Sequence, residues 1–166
     1  MFSPDEINRY FVGSNSSANF SVDLMANESY NSFAFSNICE DDLFSAICQV
    51  KSESSGLDNI SIKFVKRVFP YVSKYLLHTF NYILTTSSYP DQWRHSKVVP
   101  ISKVSNPTDL SHFRPISILS SISKVFEVVI KNQIESHLFG NNLLNSFQSG
   151  FRKYHRHSTT SALLNV

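Results

Sequence analysis

Between Ile62 and Leu84 the apolar residues Phe64, Val65, Val68, Val72, Leu76, Phe80, Ile83 and Leu84 return at helical spacing, and this long period most constrains what the chain can fold into. Pro70 lies inside the run. It has no N–H to donate and its ring crowds the preceding turn, so two helices are expected to meet there. Upstream, "CEDDLFSAICQVKS" opens on three carboxylates, sets Leu43, Ile47 and Val50 on one side and ends at Lys51. Negative charge is favourable at a helix start, so this pattern predicts a helix of about three turns. "SSGLDNI" joins the two stretches as a turn through Gly56 and Asp58.

Downstream of "TTSSYPDQW", which closes the second helix, the period changes. "KVVPISK" reads as a short strand that Pro100 confines to a sheet edge or a bulge. "SNPTDLS" is a polar loop and "FRPISIL" a second short β segment, so the two strands are expected to form an antiparallel hairpin with a long connection. From Ser121 to Phe139 a helix is predicted, with Ile122, Val125, Phe126, Val129, Ile130, Ile134 and Leu138 on its apolar side. Ser120 or Ser121 caps its start, Glu127 and Lys131 form an i,i+4 pair, and Gly140 caps its end. "NNLLNSFQSGFRKYHRHS" is irregular and basic, and "STTSALLNV" begins another helix. Residues 12–38 are rich in Ser and Asn without a sustained period, so 1–38 reads as a variable, loosely ordered lead-in to a domain over 39–166. No internal repeat is found. The expected class is α+β, mostly helical with a small antiparallel β hairpin, rather than alternating βαβ.

With 166 residues, 42% hydrophobic and 17% charged, the chain is long enough for one domain with a real core. Its net charge of +2 conceals an asymmetry: residues 1–50 carry seven acidic groups against Arg9 alone, and residues 51–166 carry fourteen Lys or Arg against six carboxylates. An acidic partner such as a phosphate backbone therefore suits the second part better. No run approaches the roughly 18 apolar residues of a membrane span, and the first residues lack a basic-then-apolar leader, so an intracellular chain without a membrane partner is expected. Asn-x-Ser at Asn15, Asn19, Asn27 and Asn59 is read as chance in this composition. Cys39 and Cys48 are expected to form neither a disulfide nor a zinc site.

Six cations stand out: Lys97, Lys103 and Arg114 around the hairpin, and Arg152, Lys153 and Arg156 near the end. Arg114, between Phe113 and Pro115, has restricted backbone freedom, and its planar fork suits a phosphate. With Lys103 on the facing strand it would grip a polyphosphate; alternatively both are solvated hairpin charges. "FRKYHRHS" mixes three cations, two histidines and two aromatics. That mixture suits either a groove along a nucleic-acid backbone or a charged loop tip. His155 and His157 do not share a helix face, so no metal ligand is assigned. The last aspartate is Asp109 and the last carboxylate side chain Glu135, neither in a paired motif. With no Gly-rich phosphate loop and no Gly-x-Ser-x-Gly turn either, no catalytic residue is assigned and no self-sufficient active site is expected.

Four ordered blocks carry a family resemblance: "KSESSGLDNISIKFVK", "FNYILTTSSYPDQWRHSKVVPISK", "HFRPISILSSISKVFEVVI" and "LLNSFQSGFRKYHRHSTTSALLNV". From about Phe33 onward the chain resembles the N-terminal part of the reverse transcriptase domain of non-LTR retrotransposons, the LINE or jockey-like elements. The resemblance implies the fingers of a right-hand polymerase fold, truncated before the palm. It implies that Lys103 and Arg114 contact the triphosphate of an incoming deoxynucleotide. It further implies that Gln148, Gly150, Phe151 and Arg152 lie by the template and the nucleotide pocket. His112 and Phe113 depart mildly from the family's polar residue and Tyr.

The family's catalytic aspartates, which hold magnesium in the intact enzyme, are expected beyond the helix that starts at Ser158, so this fragment alone is expected to bind no cofactor and to be inactive. RNA template, DNA primer and deoxynucleoside triphosphate are the implied partners, in the nucleus or cytoplasm. Two other readings stay open. One is a non-enzymatic nucleic-acid-binding module that uses Lys97, Lys103, Arg114, Arg152, Lys153 and Arg156; the other is a remnant of a decayed element without function.

Overall fold

A computed structural model describes residues 2–13 and 32–144 of the chain. In order, the described elements are α1 (Pro4–Gly13), α2 (Glu40–Gln49), α3 (Ile62–Thr86), the short α4 (Asp91–Arg94), β1 (Lys97–Ser102), a 3-10 turn at Leu110–His112, β2 (Phe113–Ile118) and α5 (Ser121–Gly140). The described residues are thus mostly helical, with one two-stranded antiparallel sheet, as the α+β expectation has it.

The core lies where α2, α3 and α5 meet. Leu43, Ala46 and Ile47 of α2 are fully enclosed, Phe80 of α3 sits among them, and Val125, Phe126 and Val129 of α5 close the third side. The helical period therefore does what it foretells: each apolar stripe is covered by the other two. An aromatic cluster extends the core toward the hairpin. Phe80 meets Phe126 edge-on at 5.1 Å and Trp93 at 5.9 Å, and Tyr89 packs on Trp93 at 5.7 Å. Tyr89 also hydrogen-bonds the buried Ser123 hydroxyl at 2.8 Å.

The expected break at Pro70 does not occur; α3 continues through it for 25 residues. Two causes combine. Pro70 lies on the exposed face, so the Lys66 carbonyl that loses its partner also faces solvent. Meanwhile Val65 and Phe69 before it and Ser73 and Phe80 after it are buried on one continuous stripe, whose packing outweighs the lost bond. Ser61 caps the start by accepting the Phe64 N–H at 3.2 Å. Ser87, in the left-handed region at φ 57°, closes the end by donating to the Ile83 carbonyl.

Helix α5 starts as expected, the Ser120 hydroxyl accepting the Ser123 N–H at 3.1 Å. Its end differs. Gly140 stays helical, and Asn141 closes the helix with both its backbone N–H and its side-chain amide on the His137 carbonyl, at 3.1 and 2.8 Å. One residue that satisfies a last-turn carbonyl from both its backbone and its side chain closes the helix without a glycine there. The expected Glu127–Lys131 pair is also replaced: Lys131 reaches Glu135 at 3.5 Å, while Glu127 lines an apolar groove.

Within the expected lead-in, α1 is a helix with no buried residue, and residues 32–39, though without regular structure, are tied to the core. Two side-chain amides serve as a borrowed strand. Asn81 exchanges hydrogen bonds with the backbone of Ile38, at 2.8 and 3.0 Å, and Gln133 does the same for Ser36, at 2.9 Å both ways. Each amide carries a donor and an acceptor spaced like a peptide group, which is why one residue can satisfy an extended backbone.

In the hairpin, Lys97 faces Ile118, Ile101 faces Arg114 and Ser102 faces Phe113. The Lys103 N–H donates to the His112 carbonyl at 2.7 Å, which fixes the alternation of the ladder. Pro100 and Pro115, directly opposite each other, then occupy a pair whose N–H positions point outward. Neither proline costs a ladder bond, and each removes a donor from the middle of a free edge.

Candidate functional site

Register and alternation put Lys97, Val99, Ile101, Arg114, Ile116 and Ile118 on one face of the hairpin, and the next residue of that series is Lys103. Arg114 is exposed, and among the described residues no hydrogen bond or ion pair holds its guanidinium. Lys103 is its diagonal neighbour across the strands, at a distance of about 7–8 Å between Cα atoms. The Lys103 amine folds back on the connection and donates to the Ser111 carbonyl at 2.7 Å. The fold thus brings these two sequence-predicted cations together at the loop end of the hairpin. Lys97 stands at the opposite end, four residues along β1 from Ile101, or roughly 13 Å. Gln148, Gly150, Phe151, Arg152, Lys153 and Arg156 lie outside the described residues.

The connection is braced from within. Asp109 Oδ1 accepts the Ser111 N–H at 2.7 Å and starts the 3-10 turn, and the Thr108 N–H points at His112 Nδ1 at 3.3 Å. Hydrogen bonding by Ser111, with the nearby His112 adding to it, holds the Asp109 carboxyl below the usual carboxylate range. Ser102 Oγ donates to the Val104 carbonyl at the other side of the loop. At neutral pH the loop end therefore carries two cations on one face and one ionised carboxylate already committed to its own backbone. Such a surface receives an anion with several oxygens more readily than a cation.

The base of the hairpin is fixed against the 52–60 segment. A Cβ on Gly56 would lie 2.7 Å from the Ser120 nitrogen and 2.8 Å from its Cα, so the two backbones touch where β2 runs into α5. The Ser121 hydroxyl donates to the Ile60 carbonyl at 2.6 Å, and Lys124 Nζ donates to the Ser54 carbonyl at 2.7 Å. Burial in this joint lowers the Lys124 pKa below the usual lysine range, against the opposing pull of Asp58 and Glu127. Beside it, Tyr89, Phe126, Ile130 and Ile134 line a groove of about 540 Å³, where loss of water raises the Glu127 carboxyl above its ordinary range.

Among the described residues no group of three or more His, Cys, Asp or Glu is placed to hold a metal ion, and no helix is long and apolar enough to cross a membrane. Cys39 and Cys48 are exposed free thiols.

No family model matches the chain. It is similar, however, to polymerases of mobile elements of Drosophila melanogaster. Over 104 residues, 62% of this chain, it is 33% identical to the probable RNA-directed DNA polymerase from transposon BS, of which that stretch is 12%. It is 30% identical over 104 residues to the RNA-directed DNA polymerase from mobile element jockey, 11% of that protein. It is 32% identical over 108 residues to the probable RNA-directed DNA polymerase from transposon X-element, 12% of that protein. The matched stretch is about an eighth of the length of these relatives, and the similarity to them agrees with the resemblance to non-LTR retrotransposon polymerases.

Proposed function

We propose that this chain is a section of an RNA-directed DNA polymerase of a non-LTR retrotransposon, and that its hairpin belongs to a fingers surface that receives an incoming deoxynucleoside triphosphate. The observation that carries the reading is the exposed Arg114 guanidinium, without a partner among the described residues, on the same face as Lys103, at the loop end of a hairpin whose sequence falls in the blocks that resemble such polymerases. A guanidinium offers two parallel donors to one phosphate group, and an ammonium adds a movable point charge to the next. Lys103 would exchange the Ser111 carbonyl for a phosphate oxygen, a neutral acceptor for a charged one. Template RNA and primer DNA are the macromolecular partners in this reading.

Magnesium, which the resemblance implies for the intact enzyme, does not fit the residues described. Asp109 is the one carboxylate of the hairpin and its connection, and it is engaged by Ser111. The chain's own contribution is therefore binding and orientation of the anion, and residues 1–166 alone are expected to show no polymerisation.

The test is titration of residues 1–166 with dTTP, followed by NMR. Shifts are expected at Lys103, Ser111 and Arg114, with Arg114→Ala weakening binding by about tenfold, as loss of one charge-assisted contact does. Identical titration of the wild-type and Arg114→Ala chains would overturn the assignment.

A further inference from the structure

The outer face of α3 carries a stripe that the hairpin reading does not use. At 100° per residue, Phe64, Arg67, Tyr71, Lys74, Tyr75, His78 and Tyr82 fall within an arc of about 100°, directly opposite the buried Phe69, Ser73 and Phe80. The rings stand in solvent: Tyr71 is 83% exposed, Tyr75 77% and Tyr82 55%. A shallow hollow of about 750 Å³ lies along Tyr71, Lys74, Tyr75 and His78. Helix α3 contains no Asp or Glu. Of its cations only Lys63 is ion-paired among the described residues, to Glu53 at 2.9 Å. From Phe64 to Tyr82 the stripe is roughly 27 Å long.

We propose that this face binds single-stranded RNA, its tyrosine rings stacking on successive bases while Arg67 and Lys74 hold the backbone phosphates. Exposed aromatics alone would suit any apolar partner, and exposed cations alone any anion. Alternation of the two along one line, with no carboxylate on the helix, suits a ligand that is itself a file of flat rings on an anionic chain. The length matches about four or five nucleotides of extended strand, at the lower end of single-strand site sizes. Residues 67–79 also fall between the motif blocks that carry the family resemblance, so the surface is an observation on this helix and does not rest on the hairpin assignment.

Fluorescence anisotropy of a labelled 20-nucleotide oligouridylate, titrated with residues 1–166, tests the proposal. Because the two rings are solvent-exposed, Tyr71→Ala/Tyr75→Ala should keep the helical circular dichroism, and it is expected to weaken binding by at least tenfold. Tyr71→Phe/Tyr75→Phe, which keeps the rings, should restore it. Lys74→Ala should lower the slope of log affinity against log salt by somewhat under one unit. Equal affinity of the alanine and phenylalanine pairs would overturn the stacking, and full competition by polyglutamate at matched charge would assign the face to an acidic protein surface instead. Titration of the Tyr71→Ala/Tyr75→Ala chain with dTTP, expected to match wild type because α3 lies outside the hairpin, keeps this outcome separate from the nucleotide reading.

Discussion

Cys39 begins α2 with a thiol, a weak acceptor, in a reciprocal capping box with Asp42, whose stronger arm is the Cys39 N–H donating to Asp42 Oδ2 at 2.9 Å. That bond holds the Asp42 carboxyl below its ordinary pKa. A carboxylate depressed in the folded state contributes stability above its unfolded pKa and loses it as pH falls through the folded value. Asp42→Ala is therefore expected to lower stability by roughly 0.3 to 1.5 kcal/mol at neutral pH, with the difference from wild type fading in acid; paired thermal melts from pH 7 to pH 2 check it. At this scale the sequence was readable in part. Three carboxylates after Cys39 foretold a helix start, and Leu43, Ile47 and Val50 foretold its buried side. Which carboxylate would turn back to the cap depends on side-chain geometry that composition does not encode. The same holds for Lys103, recognisable as a loop-end cation but not as one whose amine rests on the Ser111 carbonyl.

The elements were legible wherever period decided them, and illegible where packing overrode a local rule. Both strands, the turn at Gly56 and the start of α5 follow from residues that have few alternatives. Pro70 shows the opposite case: a local breaker lost to a stripe buried on both sides of it, and only the positions of α2 and α5 reveal that the stripe continues. The joint between the 52–60 segment and α5 was equally hidden, since it depends on two backbones separated by more than sixty residues. Gly56→Ala would place a methyl group against the Ser120 backbone, which has no flexible end to move aside. A loss of roughly 1–3 kcal/mol is expected, the cost of overpacking, measured as a drop in the urea midpoint without change of slope. An unchanged midpoint would mean that the two backbones part readily and the hairpin base is loose.

For the molecule as a whole, the helices and the hairpin differ in how they are held. α2, α3 and α5 share one core, whereas the hairpin strands are exposed along most of both faces, with Phe113 meeting the Phe2 ring at 6.1 Å. Amides of Val125 to Val129 are expected to exchange with solvent hydrogen only on global unfolding, and those of Val99, Ile101 and Lys103, which point into the ladder, many times faster, which hydrogen exchange by NMR would resolve residue by residue. Equal protection would make the hairpin part of the same cooperative unit. This division was only half visible beforehand: burial of the helices follows from their periods, but nothing in "KVVPISK" or "FRPISIL" tells that the apolar residues Val98, Ile101 and Ile116 stay in solvent. An isolated pair of strands with exposed valines and isoleucines would ordinarily recruit a third strand from a neighbouring molecule and so seed a fibre. Here each border presents, at its midpoint, a pyrrolidine ring where the newcomer would look for a hydrogen. The sheet is in effect printed at a fixed width of two, and a crowd of such chains can carry the hairpin in open water without knitting together.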